Sequence, residues 1–212
     1  MRVAVAYVWP QLKVNQYYPL ALRFAQTWLQ FPPGSEDHTL YVIGNGGEVP
    51  MLHRAPFAAI PGCQFREHDN SGWDIGAFQM AAETIPCDLL ICFGAPVHFH
   101  RAGWLERVVE SFLSGGPALY GCWAYLSPNW HVRTTAFWCP PELLNAYPYT
   151  IGSDRKSRYN FEHGPDSFTR FCLGSGFDCN LVTWDGVYPF DQWESRAPGP
   201  DQSLVWDQHV HQ

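Results

Sequence analysis

In Tyr159-Asn160-Phe161-Glu162-His163-Gly164-Pro165-Asp166-Ser167 two carboxylates and a histidine lie close together ahead of an apolar run. Glu162 could take a proton from a hydroxyl group, with its pKa tuned by its surroundings. Asp166 and Ser167 are equally suited to capping a following helix, whereas Glu162 lies too early for that. A second stretch, His68-Asp69-Asn70-Ser71-Gly72-Trp73-Asp74-Ile75-Gly76-Ala77, places short polar side chains where a helix begins. The free N–H groups and positive dipole end of a helix start suit a phosphate. Asn70 and Asp74 could then bind base or ribose hydroxyls. The plainer alternative is that Asn70 and Gly72 make a turn and Asp74 caps the helix.

Three further clusters carry basic or metal-binding types. His98-Phe99-His100-Arg101 follows the apolar run 88–93 and Gly94-Ala95-Pro96. On extended backbone His98 and His100 face one way, so they could hold a metal or neutralise a diphosphate; solvated loop histidines are the alternative. His131-Val132-Arg133-Thr134-Thr135, read as a strand, puts His131, Arg133 and Thr135 on one face. An arginine among hydroxyls recognises phosphate or carboxylate. At the end of the chain, Trp206-Asp207-Gln208-His209-Val210-His211 sets His209 and His211 on one face, unless this is simply a tail.

The elements that must position these side chains show in the apolar periodicity. Residues 3–9, 39–43, 63–68 and 88–93 read as strands, and 118–126, 131–138, 178–184 and 204–209 as further strands. Residues 16–30, with Leu20, Phe24, Ala25 and Trp28 on one face, read as an amphipathic helix stopped by Pro32-Pro33-Gly34. Asp74 heads a second helix, 104–113 is a third, and Pro140-Pro141-Glu142 opens a short one. Residues 45–62 are rich in glycine and proline and read as loop. Residues 150–160, polar and basic, read as a mobile loop before a helix from Ser167 to Leu173. Strand alternates with helix through about residue 115, which gives an α/β fold with a mostly parallel sheet. Ligands of such sheets sit beyond the carboxyl ends of the strands.

Composition narrows the function. The 212 residues fit a single domain, and 46% hydrophobic residues supply its core. A net charge of −7 without a basic stripe argues against nucleic acid. The seven cysteines are odd in number and contain no Cys-x-x-Cys, so they read as reduced thiols of a cytoplasmic protein. There is no stretch of 18 apolar residues that could span a membrane, and the start looks like a strand rather than a signal peptide.

Taken in order, these pieces resemble a glycosyltransferase of the GT-A superfamily, close to small bacterial enzymes of polysaccharide synthesis of the rhamnan-synthesis type. The turn Asn70-Ser71-Gly72-Trp73-Asp74-Ile75-Gly76-Ala77 matches Asn-x-Gly-x-Asp-Ile-Gly-Ala, the buried run 88–95 follows it, and Glu162 precedes a helix, a glycine and a strand. The resemblance implies one Rossmann-like GT-A domain, with a nucleotide-sugar half over about 1–115 and an acceptor half over about 116–212. It implies a nucleotide-sugar donor near Trp9, Asn70, Gly72, Asp74, Gly94, Arg101 and Arg133, and a glycan acceptor near Trp130, His131 and Trp138. Glu162, or else Asp166, would be the base of an inverting transfer. Such enzymes usually hold Mn²⁺ or Mg²⁺ on an Asp-x-Asp at the end of the fourth strand, sometimes completed by a histidine near the chain end, here His209 or His211. This chain has Phe93-Gly94-Ala95-Pro96 at that point. Arg101, Arg133 or nearby histidines could instead stabilise the leaving diphosphate. Two other readings stand beside transfer: a degenerate carbohydrate- or nucleotide-binding module, and a hydrolase with His98, His100 and His211 around a metal.

Overall fold

The computed structural model describes residues 1–196 and 202–208. Its centre is an eight-stranded sheet. In chain order the strands are β1 (Val3–Pro10), β2 (His38–Asn45), β3 (Gln64–His68), β4 (Leu89–Phe93), β6 (Leu119–Gly121), β9 (Ala136–Cys139), β10 (Cys179–Val182) and β11 (Val187–Pro189). In space they run β11-β10-β6-β9-β4-β1-β2-β3. β1 pairs parallel with β2 and β4, β2 with β3, and β6 with β10, while β9 lies antiparallel between β4 and β6. Six strands therefore share one direction, as the alternation of strand and helix in the sequence demands.

β1 is buried along nearly its whole length, and its residues alternate between two cores. Val3, Val5, Tyr7 and Trp9 face α1 (Val14–Gln30) and α3 (Trp104–Gly115), meeting Phe24, Trp28, Trp104 and Leu105. Ala4, Ala6 and Val8 face α2 (Trp73–Thr84), α4 (Pro141–Asn145), α5 (Arg155–His163) and α6 (Phe168–Gly174) through Phe78, Ala81, Leu144, Phe161 and Phe168. Strands covered on both faces need apolar residues at every position, which is why β1 and β4 read as unbroken apolar runs.

Six expectations change. Residues 131–138 are two strands, not one: β8 (His131–Val132) pairs antiparallel with β7 (Ala124–Tyr125), and residues 133–135 turn before β9. The turn is held by Arg133 N–H donating to Trp123 O (3.0 Å) and Gly94 N–H donating to Thr135 O (2.8 Å). Residues 118–126 divide in the same way into β6 and β7. Residues 150–160, read as a mobile loop, run into α5, capped by Asp154 Oδ1 accepting from the N–H groups of Lys156 and Ser157 at 2.9 Å each. Asp74 does not cap α2. Gly72 occupies the cap position at φ 71°, and Asp74 sits inside the first turn. Ser167, in contrast, does cap α6. The loop 45–62 contains a 3₁₀ turn, Met51–Phe57, and the final strand is the short β12 (Trp206–Asp207), antiparallel to β5 (Val97–His98).

Candidate functional site

A cavity of about 500 Å³ opens at the carboxyl ends of β1, β2 and β4. Val8 and Pro10 line it from β1, Asn45 from β2, and Gly94, Ala95 and Pro96 from the turn after β4. Tyr7, buried beneath, donates its hydroxyl to Ala95 O at 3.1 Å and fixes that turn; burial pushes the phenol pKa well up, so it keeps its proton. Open sheets place ligands in this position.

Asn70, Trp73 and Asp74 form one side. Asn70 and Trp73 have φ of 72° and 60°, left-handed values that cost free energy outside glycine, with Gly72 between them. Three hydrogen bonds hold the turn. Asn45 Nδ2 donates to Asn70 Oδ1 at 2.8 Å, His68 Nδ1 donates to Asn45 Oδ1 at 2.8 Å, and Trp73 Nε1 donates to Ser153 O at 3.0 Å. The strain is thereby spent on aiming Asn70 and Asp74 into the cavity.

His131, Arg133, Thr134 and Thr135 from the β8–β9 segment form the other side, with Arg158, Glu162 and His163 of α5. Thr134 Oγ1 donates to Glu162 Oε1 at 2.6 Å, and Arg158 Nε lies 3.6 Å from Glu162 Oε2. Arg158 also approaches the Trp73 ring at 5.8 Å, tying the two sides together. Lys13 and Tyr17 from the start of α1, together with Tyr125, complete the lining. Burial pushes the Asp74 pKa up; the charge of Glu162 adds to this and that of Arg158 opposes it. Burial holds the His131 pKa below its ordinary value; the hydrogen bond with Asn129 O and the charge of Glu162 oppose this, while His163 and Arg133 add to it. His131 Nδ1 is engaged by Asn129 O at 2.7 Å, which leaves Nε2 as its second polar atom. The cavity thus combines two carboxylates with three permanent cations, Lys13, Arg133 and Arg158, a composition suited to an anionic ligand with hydroxyl groups.

Of the residues singled out in the sequence, Asn70, Asp74, Gly94, His131, Arg133, Thr135, Glu162 and His163 meet here. The others lie elsewhere. Trp9 points from β1 into the core, 6.0 Å from Phe57, because odd-numbered residues of β1 face α1. Trp138 is 0% exposed on a central strand and stacks on Tyr120, so it has no face for an acceptor. Trp130 packs edge-on to Trp193 beside a shallow depression with Arg170 and Phe190. Gly72 shapes the turn without lining the cavity; a Cβ there would press on Ile151 O. Asp166 is exposed, and its carbonyl accepts from Tyr147. Arg101 lies over Trp184 at 4.2 Å. His98 packs beside Trp206, and His100 stacks on the same ring while its Nε2 meets Ser203 O at 2.8 Å. His209 and His211 lie outside the described residues.

Sequence reasoning did not single out Lys13, Asn45 or Arg158, and read Thr134 only as one of the hydroxyls around Arg133. Asn45 follows a strand in Gly44-Asn45-Gly46-Gly47, a signal that was available. Arg158 stands four residues before Glu162, but that spacing has meaning only once 155–163 is known to be a helix. The residues that end β4, Phe93-Gly94-Ala95-Pro96, carry no side-chain oxygen for a divalent cation. Among the described residues, no group of three His, Cys, Asp or Glu side chains could hold one. The described residues at this position do not fit the usual metal.

No family model matches the chain, and neither does any curated protein sequence. Solved structures do. Mouse xyloside xylosyltransferase 1 superposes with a TM-score of 0.56 at 9% identity, covering 86% of each chain. A mannosyltransferase of Pyrobaculum calidifontis, solved with GDP-mannose and Mn²⁺, gives 0.55 at 12% identity over 69% of this chain and 46% of its own. The bifunctional glycosyltransferase WbbM gives 0.51 at 10% identity over 75% of this chain and 37% of its own. The chain thus spans less than half the length of the latter two. Its architecture, a mostly parallel sheet with one antiparallel strand between β4 and β6, is the GT-A fold.

Proposed function

We propose that the chain transfers a sugar from a nucleotide-sugar donor to a hydroxyl group of a glycan, with inversion. The observation that carries this reading is Glu162, held at 2.6 Å by Thr134 in a cavity lined by Lys13, Arg133 and Arg158 at the carboxyl ends of the parallel strands. Asn70 and Asp74 bind the nucleoside. The three cations face the diphosphate. Glu162 takes the acceptor proton as the acceptor oxygen bonds to the anomeric carbon, and the bond from that carbon to the diphosphate oxygen breaks. The nucleoside diphosphate leaves with the bonding electrons. Thr134 and Arg158 orient the carboxylate for in-line approach.

The fold shared with solved glycosyltransferases supports the reading. All seven cysteines are free and six of them buried, which suits a reducing cytoplasm, where activated sugars would meet a growing polysaccharide. The bare end of β4 favours a second reading, a module that binds nucleotide or glycan without transferring. A thermal-shift screen with UDP, GDP, dTDP and CMP and their sugars, with and without Mn²⁺, tests both. Stabilisation by one nucleotide class, with turnover lost in Glu162→Gln while binding persists, supports transfer. Binding with no turnover in the wild type supports the module. No shift with any nucleotide at millimolar concentration removes both nucleotide readings.

A further inference from the structure

Residues 93–96 at the end of β4 carry no carboxylate of their own, but one is brought to the adjoining Val97 from β12. Asp207, on β12, is 0% exposed, and its Oδ2 lies 3.7 Å from Nη2 of Arg133. β12 pairs with β5 directly after Gly94-Ala95-Pro96, with Asp207 opposite Val97, and Gln208 N–H reaches Pro96 O at 3.4 Å. Arg133 comes from the turn whose Thr135 carbonyl accepts from Gly94 N–H at 2.8 Å. Three segments distant in sequence therefore converge on the residues where a carboxylate pair would hold a divalent cation.

A nearby positive charge stabilises a buried carboxylate, and a guanidinium paired with one at 3.7 Å keeps N–H groups for a second anion. Arg133 fits that description: its side chain is 31% exposed, and the cavity is the space it opens onto. We infer that the Asp207-anchored guanidinium of Arg133 stands in place of a divalent cation as the counter-ion of the donor's diphosphate. This rests on the nucleotide-sugar reading above and sharpens it. Arg133 touches the diphosphate; Asp207 is a positioning residue. A guanidinium offers paired, planar donors to phosphate oxygens, so it supplies direction as well as charge.

The test is titration calorimetry of the full chain with the nucleoside diphosphate selected by the screen, in EDTA and then in Mn²⁺, beside the corresponding nucleoside without phosphate. Affinity for the diphosphate should be the same within about threefold in the two buffers, since a site built on the Arg133 charge gains little from the metal. Arg133→Ala should lower diphosphate affinity about tenfold or more and leave the nucleoside unaffected. Asp207→Asn separates anchoring from simple charge. Coulomb's law alone predicts tighter diphosphate binding when a negative charge is removed, whereas loss of the anchor predicts weaker binding, with recovery in Asp207→Glu. If Asp207→Asn does not fold, Arg133→Lys serves in its place: it keeps the charge but loses the planar donors, and should also weaken the diphosphate alone. Binding only in Mn²⁺, or an Arg133→Ala protein that binds diphosphate as well as the wild type, overturns this inference and leaves the transferase reading standing. Tighter binding by Asp207→Asn overturns the anchoring role. No diphosphate binding in either buffer overturns both the inference and the reading it rests on.

Discussion

On one side of the cavity Asn45, Asn70 and Asp74 rise from the ends of long, regular elements. On the other, Arg133, Thr134 and Glu162 come from a two-residue strand, a turn and a nine-residue helix. The first side belongs to β1, β2 and α2, whose register is fixed by eight paired positions between β1 and β2 alone. The second belongs to segments that form only because neighbouring segments are already in place. Val132 N–H donates to Thr169 Oγ1 at 3.0 Å, and Phe161 is the one fully buried side chain of α5. One side is thus a rigid frame that can carry left-handed residues at φ near 70°, and the other is an assembly of local contacts. In the proposed reaction the frame suits the invariant half of the donor, and the assembly suits the reacting bond.

The sharpest way to break this division is Glu162→Gln. If the second side does the chemistry and the first the binding, turnover should fall by roughly 10²–10⁴-fold. Donor affinity, measured by calorimetry, should hardly change. The converse pattern, with affinity lost and turnover kept, would assign Glu162 to the frame. Asp74→Asn supplies the opposite half of the comparison, with donor affinity lost first.

Next in size is a packing contrast between two glycines. A Cβ on Gly76, in the first turn of α2, would drive into the backbone carbonyl of Ser71 and crowd the His68 ring. Gly76→Ala should therefore destabilise by about 1–3 kcal/mol. The melting temperature should drop by roughly 2–4 °C per kcal/mol. Gly174, at the end of α6, has open space around its Cβ position, and alanine there should stabilise by a few tenths of a kcal/mol through helix propensity. Equal effects at the two positions would show that the frame is no more tightly packed than the assembly.

The same division explains what could be read from the sequence. β1 and β4 are unbroken apolar runs, α1 and α3 carry apolar residues at the helical period, and turn residues bound β2, β3 and α2, so their positions are legible, and with them Asn70, Asp74 and Gly94. The second half uses strands of two to four residues, too short to show a period. α5 is almost wholly polar and is specified by the Asp154 cap and the Arg158–Glu162 pair, features that look like loop composition when read alone. His131, Arg133 and Thr135 reach the cavity, but by way of a broken strand rather than the shared face their spacing suggests. Aromatic content misled in a different way. Trp9 and Trp138 were plausible platforms by type, but a tryptophan on a strand covered on both faces fills the core.

The smallest expected effect is on stability against pH, and it probes both sides at once. His68 lies on the first side and His131 on the second, and burial holds both pKa values below the ordinary 6.5, with the Asp69 charge partly offsetting the shift at His68 and the Asn129 hydrogen bond and Glu162 charge partly offsetting it at His131. A histidine with a depressed folded pKa binds fewer protons folded than unfolded. Its contribution to stability is therefore complete above pH 6.5 and is lost as the pH falls toward its folded pKa. Asp74 acts in reverse: with its folded pKa raised above 3.8, the folded state binds more protons, and its contribution is lost as the pH rises through that folded value. Melting temperatures taken between pH 7.5 and pH 5 should fall with acidification. His131→Asn, whose amide can still donate to Asn129 O, should flatten that fall. His68→Asn should flatten it less, because His68 is less deeply buried than His131. A larger change from His68→Asn would reverse the comparison, making the frame the more pH-sensitive side of the cavity.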